Sequence, residues 1–403
     1  MDTIKFEVIR NMSSDRFLLI KAWSYALWAD VDHVLGQLLI AEITDRIPVI
    51  YWPTHCLHNG FVQTNGFELY FEPVSGYSIF NLTKPEYTYY PPIWDSDNLL
   101  VDDQSKETWM YRNIGDIISS NANVVVGDAY YNVYELIPFI KKNHSAYGMT
   151  IEQAYHYLFS KYVRVKPDIE TEIQGYYNSW LRNNGATLAV HVRRVHDKVY
   201  DARNESKPSS KYINKVYDKY HKKEPGKPEK IRRFLRKGKI KKPNGTYHAE
   251  IRKYIQKYNV KKIFLLTDSE AIVKEYQELY GPMLLFTDCK RIEIEEEASY
   301  MENPMVKRRR GIEIIKDTYI ASKCDFFIGN DFSHLSHAVV RIKDWADKNV
   351  SLLYWLYKKH KYPINAKLII KKGGDNIFIR MIDWAKTLID KHRQTNGGRK
   401  YAK

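Results

Sequence analysis

Short apolar runs alternate with helix-period segments along most of this chain. In residues 17–52 the apolar positions of HVLGQLLIAEITDR recur at helical spacing, and the apolar strand IPVIYW follows at once, which makes half of an α/β unit. From Pro53 to about Asn113 the sequence is aromatic and loop-rich. Pro85, Pro91 and Pro92 oppose long helices there. NVVVGDAYY then reads as a buried strand, and residues 150–182 as two amphipathic helices. After Asn183–Gly185 the signals alternate: ATLAVHVRR, KKIFLLTDSEAIVKEYQELYG, GPMLLFTD, the helix GIEIIKDTYIASKC and the strand DFFIGN. Such alternation predicts α/β architecture with a doubly wound parallel sheet. At 403 residues the chain exceeds what one core serves, so two α/β domains are expected, 1–185 and 186–403.

Charge changes this picture in one place. Residues 207–262 hold 20 Lys and Arg against Asp218, Glu224, Glu229 and Glu250, while the whole chain carries a net +15. The rest is therefore close to neutral, unlike a uniformly basic nucleic-acid binder. Pro225, Gly226, Pro228, Pro243 and Gly245 interrupt the basic run, which reads as an inserted arm. It is either a solvated basic face or a site for an anionic surface, such as an acidic membrane. The start, MDTIKFEVIRNMSSDRF, lacks a secretory pattern and no apolar stretch would span a bilayer, so a soluble, cytoplasmic protein is expected, peripheral at a membrane surface if the arm binds one. Cys56, Cys289 and Cys324 are too few and too scattered for a disulfide framework.

The candidate chemistry centres on His191-Val192-Arg193-Arg194-Val195-His196-Asp197-Lys198, directly after the apolar strand ATLAV. Ligands of open α/β sheets bind at the carboxyl ends of strands, and a guanidinium fork suits a diphosphate better than an ammonium does. Nucleotide binding is the reading this supports. An Arg pair bridged to acidic surface neighbours is the plainer one.

HVRRVHDK resembles the H-x-R-R-x-D motif of the fucosyltransferase superfamily, which includes α-1,6-, α-1,2- and protein O-fucosyltransferases. KKIFLLTDSEAIVKEY is similar to the family's strand ending in Thr-Asp, and GIEIIKDTYIASKCDFFIGNDFSHLSHAVV to its third motif. DVDHVLGQLLIAEITDRIPVIYW is similar to its first motif. The resemblance implies a two-domain glycosyltransferase B fold whose carboxy-terminal, Rossmann-like domain binds the nucleotide sugar. By that resemblance Arg193 and Arg194 bind the donor diphosphate, and His191 and His33 are nucleotide contacts. Asp317 accepts hydrogen bonds from guanine, Ser333 meets the β-phosphate, and Asp268 ends the middle strand. The implied function is inverting transfer of fucose from GDP-fucose to a glycan acceptor. Cationic groups on the leaving phosphate would replace a metal, so no cofactor is expected.

Inversion also asks for a carboxylate that takes the acceptor's proton. Asp201 and Glu205 have suitable spacing after the Arg pair, and Asp30 or Asp32 are alternatives. Asp30-Val31-Asp32 and Asp95-Ser96-Asp97 spell D-x-D, a metal-holding pattern in other glycosyltransferases, but the first heads a helix, where acids are favoured anyway, and the second lies in a loop. His55-Cys56-x-His58 lacks the partner pair of a zinc site. Two readings compete with the fucosyl one: another nucleotide sugar as donor, or a polyanion-binding protein in which Tyr212, Tyr217, Tyr220 and Phe234 interleave with lysines. The second leaves His191–Arg194 and Asp317–Ser333 without a role, and nucleic acid is not the expected partner.

Overall fold

The computed structural model describes residues 16–22, 26–54, 56, 58–100, 112–193, 243–291, 303–330 and 333–353. The chain forms two compact units that divide between Arg164 and Val165. Among the described residues no helix is long and apolar enough to cross a membrane. None of the three cysteines forms a disulfide.

The first unit is built on a parallel sheet of β1 (Phe17–Lys21), β2 (Ile47–Tyr51), β3 (Tyr89–Tyr90) and β4 (Val124–Gly127), in the order β2-β1-β4-β3. Phe17 stands beside Ile47 on one side and Val124 on the other, so β1 is a central strand. Its five residues, FLLIK, are all buried, as a strand covered on both faces requires, and the sequence reading does not single it out. Helix α1 (Leu27–Ile43) makes the crossover from β1 to β2 and is buried along nearly its whole length. Gly36 lets it press on the chain at Tyr131, where an added Cβ would meet the Tyr131 carbonyl oxygen at 1.9 Å. The aromatic stretch after Pro53 is irregular, as expected, and it still contributes core. Ile79, Leu82, Trp94 and Leu99 pack on Phe17, Leu19, Val124 and Val126.

Past α2 (Ile114–Ser119) and the single turn α3 (Val133–Leu136) comes α4 (Ile151–Tyr162), whose Thr150 accepts from the Gln153 N–H in a capping box. Glu42 in the last turn of α1 ties this region down. It accepts from Lys161 (2.7 Å), Tyr162 (2.8 Å) and Tyr157 (3.1 Å) and pairs with His144 (3.1 Å).

The second unit holds the parallel sheet β7-β6-β5-β8-β9, made of β5 (Thr187–His191), β6 (Lys262–Leu266), β7 (Leu284–Leu285), β8 (Phe326–Asn330) and β9 (Val350–Leu353). Its helices are α5 (Pro167–Tyr176), α6 (Pro243–Tyr258), α7 (Glu270–Tyr280), α8 (Pro304–Lys323) and α9 (His334–Ile342). Leu188, Val190, Ile263, Leu265 and Ile328 form the centre of its core. Asp325 locks β5 against β8 by accepting from both the N–H (2.8 Å) and the hydroxyl (2.9 Å) of Thr187. Two parallel α/β units are the fold class expected from the alternating pattern.

Two expectations need correction. The division lies at Arg164–Val165 and not near residue 185, because α5 is bound to α8 by ion pairs. Arg308 meets Asp168 (3.3 Å), while Arg309 (2.9 Å) and Lys316 (3.3 Å) both meet Glu172. Nor is 207–262 an arm throughout. Residues 243–258 are helix α6, with Tyr247, Ile251 and Tyr254 buried in the core at helical spacing, and Pro243 opens the helix instead of breaking it. Residues 207–242 lie outside the described residues.

Candidate active site

In the second sheet the chain steps from β5 outward to β6 and β7, then returns to the other side of β5 as β8. The crevice between the carboxyl ends of β5 and β8 is thus a topological switch point, where open α/β sheets bind their ligands. His191 ends β5 and is buried, and Arg193 follows two residues later, exposed. The Val192 N–H bonds the Leu266 carbonyl at 2.9 Å, which aims the Arg193 backbone from a fixed point.

Across the crevice, β8 ends at Asn330, and Ser333 occupies the N-cap of α9, 3% exposed. Its hydroxyl makes no capping bond to its own helix. Ser336, one turn on, joins the two strands. It accepts from the Asn330 N–H (2.8 Å) and lies 2.7 Å from His191 Nδ1. A cation, a helix N-terminus and a buried imidazole on opposite walls of one crevice can hold a diphosphate.

Asp317 lies on α8, which packs against β5 and β6, and is 6% exposed. The segment after β7 wraps its carboxylate: Thr287 donates to Oδ1 (2.6 Å), and the Cys289 thiol lies 3.8 Å from Oδ2. Burial pushes this carboxyl up to about 6, against the pull of the Thr287 hydroxyl and of Arg291 and Lys316. The same surroundings push the Cys289 thiol up to about 12, with burial as the main cause and Asp317 next. Asp268 stands two residues beyond β6, exposed, beside Ser269, which caps α7.

His191, Arg193 and Ser333 are therefore at one crevice, with Asp268 and Asp317 in the same unit. His33 belongs to the first unit, where it is fully buried, donates from Nε2 to the Gly127 carbonyl (3.2 Å) and stacks on Tyr130. Burial lowers its pKa to about 4, so the ring is neutral. Arg194, Asp201 and Glu205 lie outside the described residues. Asp30 and Asp32 are both buried on α1, and Tyr130 donates to Asp32 at 2.6 Å. Asp95 closes a turn by accepting from the N–H groups of Asp97 (2.9 Å) and Asn98 (3.0 Å), which accounts for the second D-x-D pattern. His55 falls outside the described residues, and His58 is buried.

One cluster escaped the sequence reading. At the carboxyl ends of β1 and β4, the switch point of the first sheet, Asp128 accepts two bonds from Arg112 (3.0 and 2.7 Å) and one from the Trp94 indole (2.9 Å). Lys21 reaches the Leu99 carbonyl (2.9 Å) with its ammonium over the Trp94 ring. The available signal was Gly127-Asp128 at the end of an apolar strand, but its partners sit far away in irregular chain.

No curated protein matches this sequence. Among solved structures the chain is similar to the fucosyltransferase NodZ from Bradyrhizobium, at 16% identity and TM-score 0.46, covering 81% of this chain and 93% of that one. It is also similar to POFUT1 in complex with GDP, at 13% identity and TM-score 0.46, covering 84% and 98%. The family model of the GDP-fucose protein O-fucosyltransferases matches residues 93–345. That span takes in β4, both walls of the β5/β8 crevice and Asp317, and the chain accordingly belongs to the GDP-fucose protein O-fucosyltransferase family, a family of glycosyltransferases.

Proposed function

We propose that the protein is an inverting transferase that moves fucose from GDP-fucose to a hydroxyl of a glycan acceptor. The observation that carries this reading is Asp317, a carboxylate held by neighbouring side chains and buried beside the sheet that ends in His191 and Arg193. A carboxylate accepts from both the ring N–H and the exocyclic amine of guanine, a donor pair no other common base presents. Family membership supports the sugar.

The chemistry divides between the walls of the crevice. The acceptor oxygen forms a bond to the anomeric carbon as the bond to the β-phosphate oxygen breaks, and the phosphate takes up negative charge. Arg193 and Arg194, with Ser333 and the α9 N-terminus, neutralise that charge where it develops. The hydroxyl proton passes to a carboxylate, Asp201 by preference and Glu205 as the alternative. Transfer is expected to continue in EDTA, because these groups do what a divalent ion does elsewhere.

Thermal shift with GDP, UDP, dTDP and CMP tests the nucleotide, since a ligand that binds only the native state raises Tm. GDP should give the largest shift. A larger shift with UDP or dTDP would remove GDP-fucose as donor and favour another nucleotide sugar.

A further inference from the structure

The segment between β7 and residue 291 is organised around Asp317. Arg291 folds back over it. Its guanidinium donates to the Cys289 carbonyl (3.1 Å) and the Thr287 carbonyl (3.2 Å) and lies 5.2 Å from the centre of the Phe286 ring. With both carbonyls clamped, the side chains of Thr287 and Cys289 turn to opposite oxygens of the Asp317 carboxylate. A carboxylate offers about four lone-pair directions. Among the described residues, one on each oxygen is taken, which leaves an acceptor on each oxygen in a fixed orientation.

Resting on the GDP reading above, we infer that Thr287 and Arg291 are positioning residues for base selection: Arg291 shapes the 286–291 turn, and Thr287 orients and holds ionised the carboxylate that reads the two-donor edge of guanine. The groups that face Asp317 fit this. Thr287, Cys289 and Arg291 come from the turn, Lys316 and Glu313 from α8, and Tyr176 from α5. Arg291 and Lys316 favour the ionised form, Glu313 opposes it, and the Thr287 hydroxyl is the strongest single contribution holding the charge against burial. A carboxyl that took up a proton would lose an acceptor and repel a guanine donor.

The test compares GDP with inosine diphosphate, which keeps the ring N–H but lacks the exocyclic amine, and with UDP, by calorimetric titration of the full chain between pH 5.5 and 8. Wild type should prefer GDP to inosine diphosphate by at least about tenfold, the worth of one hydrogen bond to a charged group. Thr287→Val should compress that ratio several-fold and move the pH midpoint of GDP binding upward, whereas Thr287→Ser, which keeps the hydroxyl, should preserve both. Arg291→Gln should compress the ratio as well. Equal losses for both purine nucleotides, with the ratio and the pH midpoint unmoved, would mean a merely structural role and overturn the inference. Should Thr287→Val not fold, an unchanged ratio in Arg291→Gln overturns it. Wild type that binds UDP as tightly as GDP would instead sink the GDP reading, and this inference with it.

Discussion

His191 and Ser336 meet at 2.7 Å across the β5/β8 crevice, a side-chain bond that ties the end of β5 to α9. The Ser336 oxygen already accepts from the Asn330 N–H, so its own proton can go to His191 Nδ1. The imidazole then carries its proton on Nε2, the nitrogen that in the proposed reading donates to the nucleotide. Ser336→Ala should weaken GDP about tenfold by freeing the ring. If Ser336 acts through His191, the double variant with His191→Ala should bind no worse than His191→Ala alone. Additive losses in calorimetry would separate the two residues.

Asp317 gives the protein a pH signature. Its carboxyl is raised by burial from 3.8 to about 6, so between those values the folded state holds a proton the unfolded chain has lost. Stability without nucleotide should fall as pH rises from about 4 to 6 and change little above that for this group. GDP affinity should run the other way, rising through pH 6 as the acceptor becomes charged. Asp317→Asn should flatten both profiles and weaken GDP by roughly 10²-fold, yet leave Tm at pH 7 no lower than wild type, because a buried charge has been removed. A variant that keeps the rise in GDP affinity would show that another group titrates.

The crevice could be read from the chain because its walls are continuous in sequence. Apolar strands followed by His191–Arg193, and Asp317 set on a helix before the strand DFFIGN, are local patterns. What could not be read depends on contacts across long separations. Thr287 meets Asp317 thirty residues away, and Arg112 and Trp94 converge on Asp128 out of a stretch whose only legible property was an excess of turns. Helix α5 precedes the turn at Asn183–Gly185 and so reads as part of the first domain, while the partners that bind it to the second, Arg309 and Lys316 of α8 on Glu172, are distant in sequence. Helix α6 looked like part of an arm because it follows directly on the basic run ending at Lys242 and is held by only a few apolar positions, Tyr247, Ile251 and Tyr254.

Glu42 should anchor the first unit in acid. Burial alone would raise its carboxyl, but bonds from His144, Lys161 and Tyr162 outweigh this and hold it near 2, below the ordinary 4.5. A lowered folded-state pKa contributes stability that is complete above about 4.5 and is lost as pH falls through 2. Glu42→Gln should therefore cost about 1–3 kcal/mol at pH 7 in urea unfolding, less if solvent screens the outer partners. The gap from wild type should narrow at pH 3. A constant gap would assign the loss to packing and not to charge.

Arg193 and the proton acceptor should fail in different ways when substituted. Arg193 faces the leaving phosphate in the proposed reading, so Arg193→Ala should weaken GDP and lower kcat together, since the same contact strengthens as phosphate charge develops. Asp201→Asn keeps the size of the side chain and removes the base. It should leave GDP affinity nearly intact while lowering kcat by roughly 10²–10⁴. Were Asp201 only a cap or turn residue, the same change would cost at most about 1–2 kcal/mol of stability and little activity. Glu205→Gln, assayed beside it, decides between the two carboxylates. An active Asp201→Asn enzyme with a folded but inactive Glu205→Gln moves the base to Glu205. If both variants turn over normally, neither carboxylate takes the proton, and Asp32, already bonded to Tyr130 in the first unit, becomes the residue to replace.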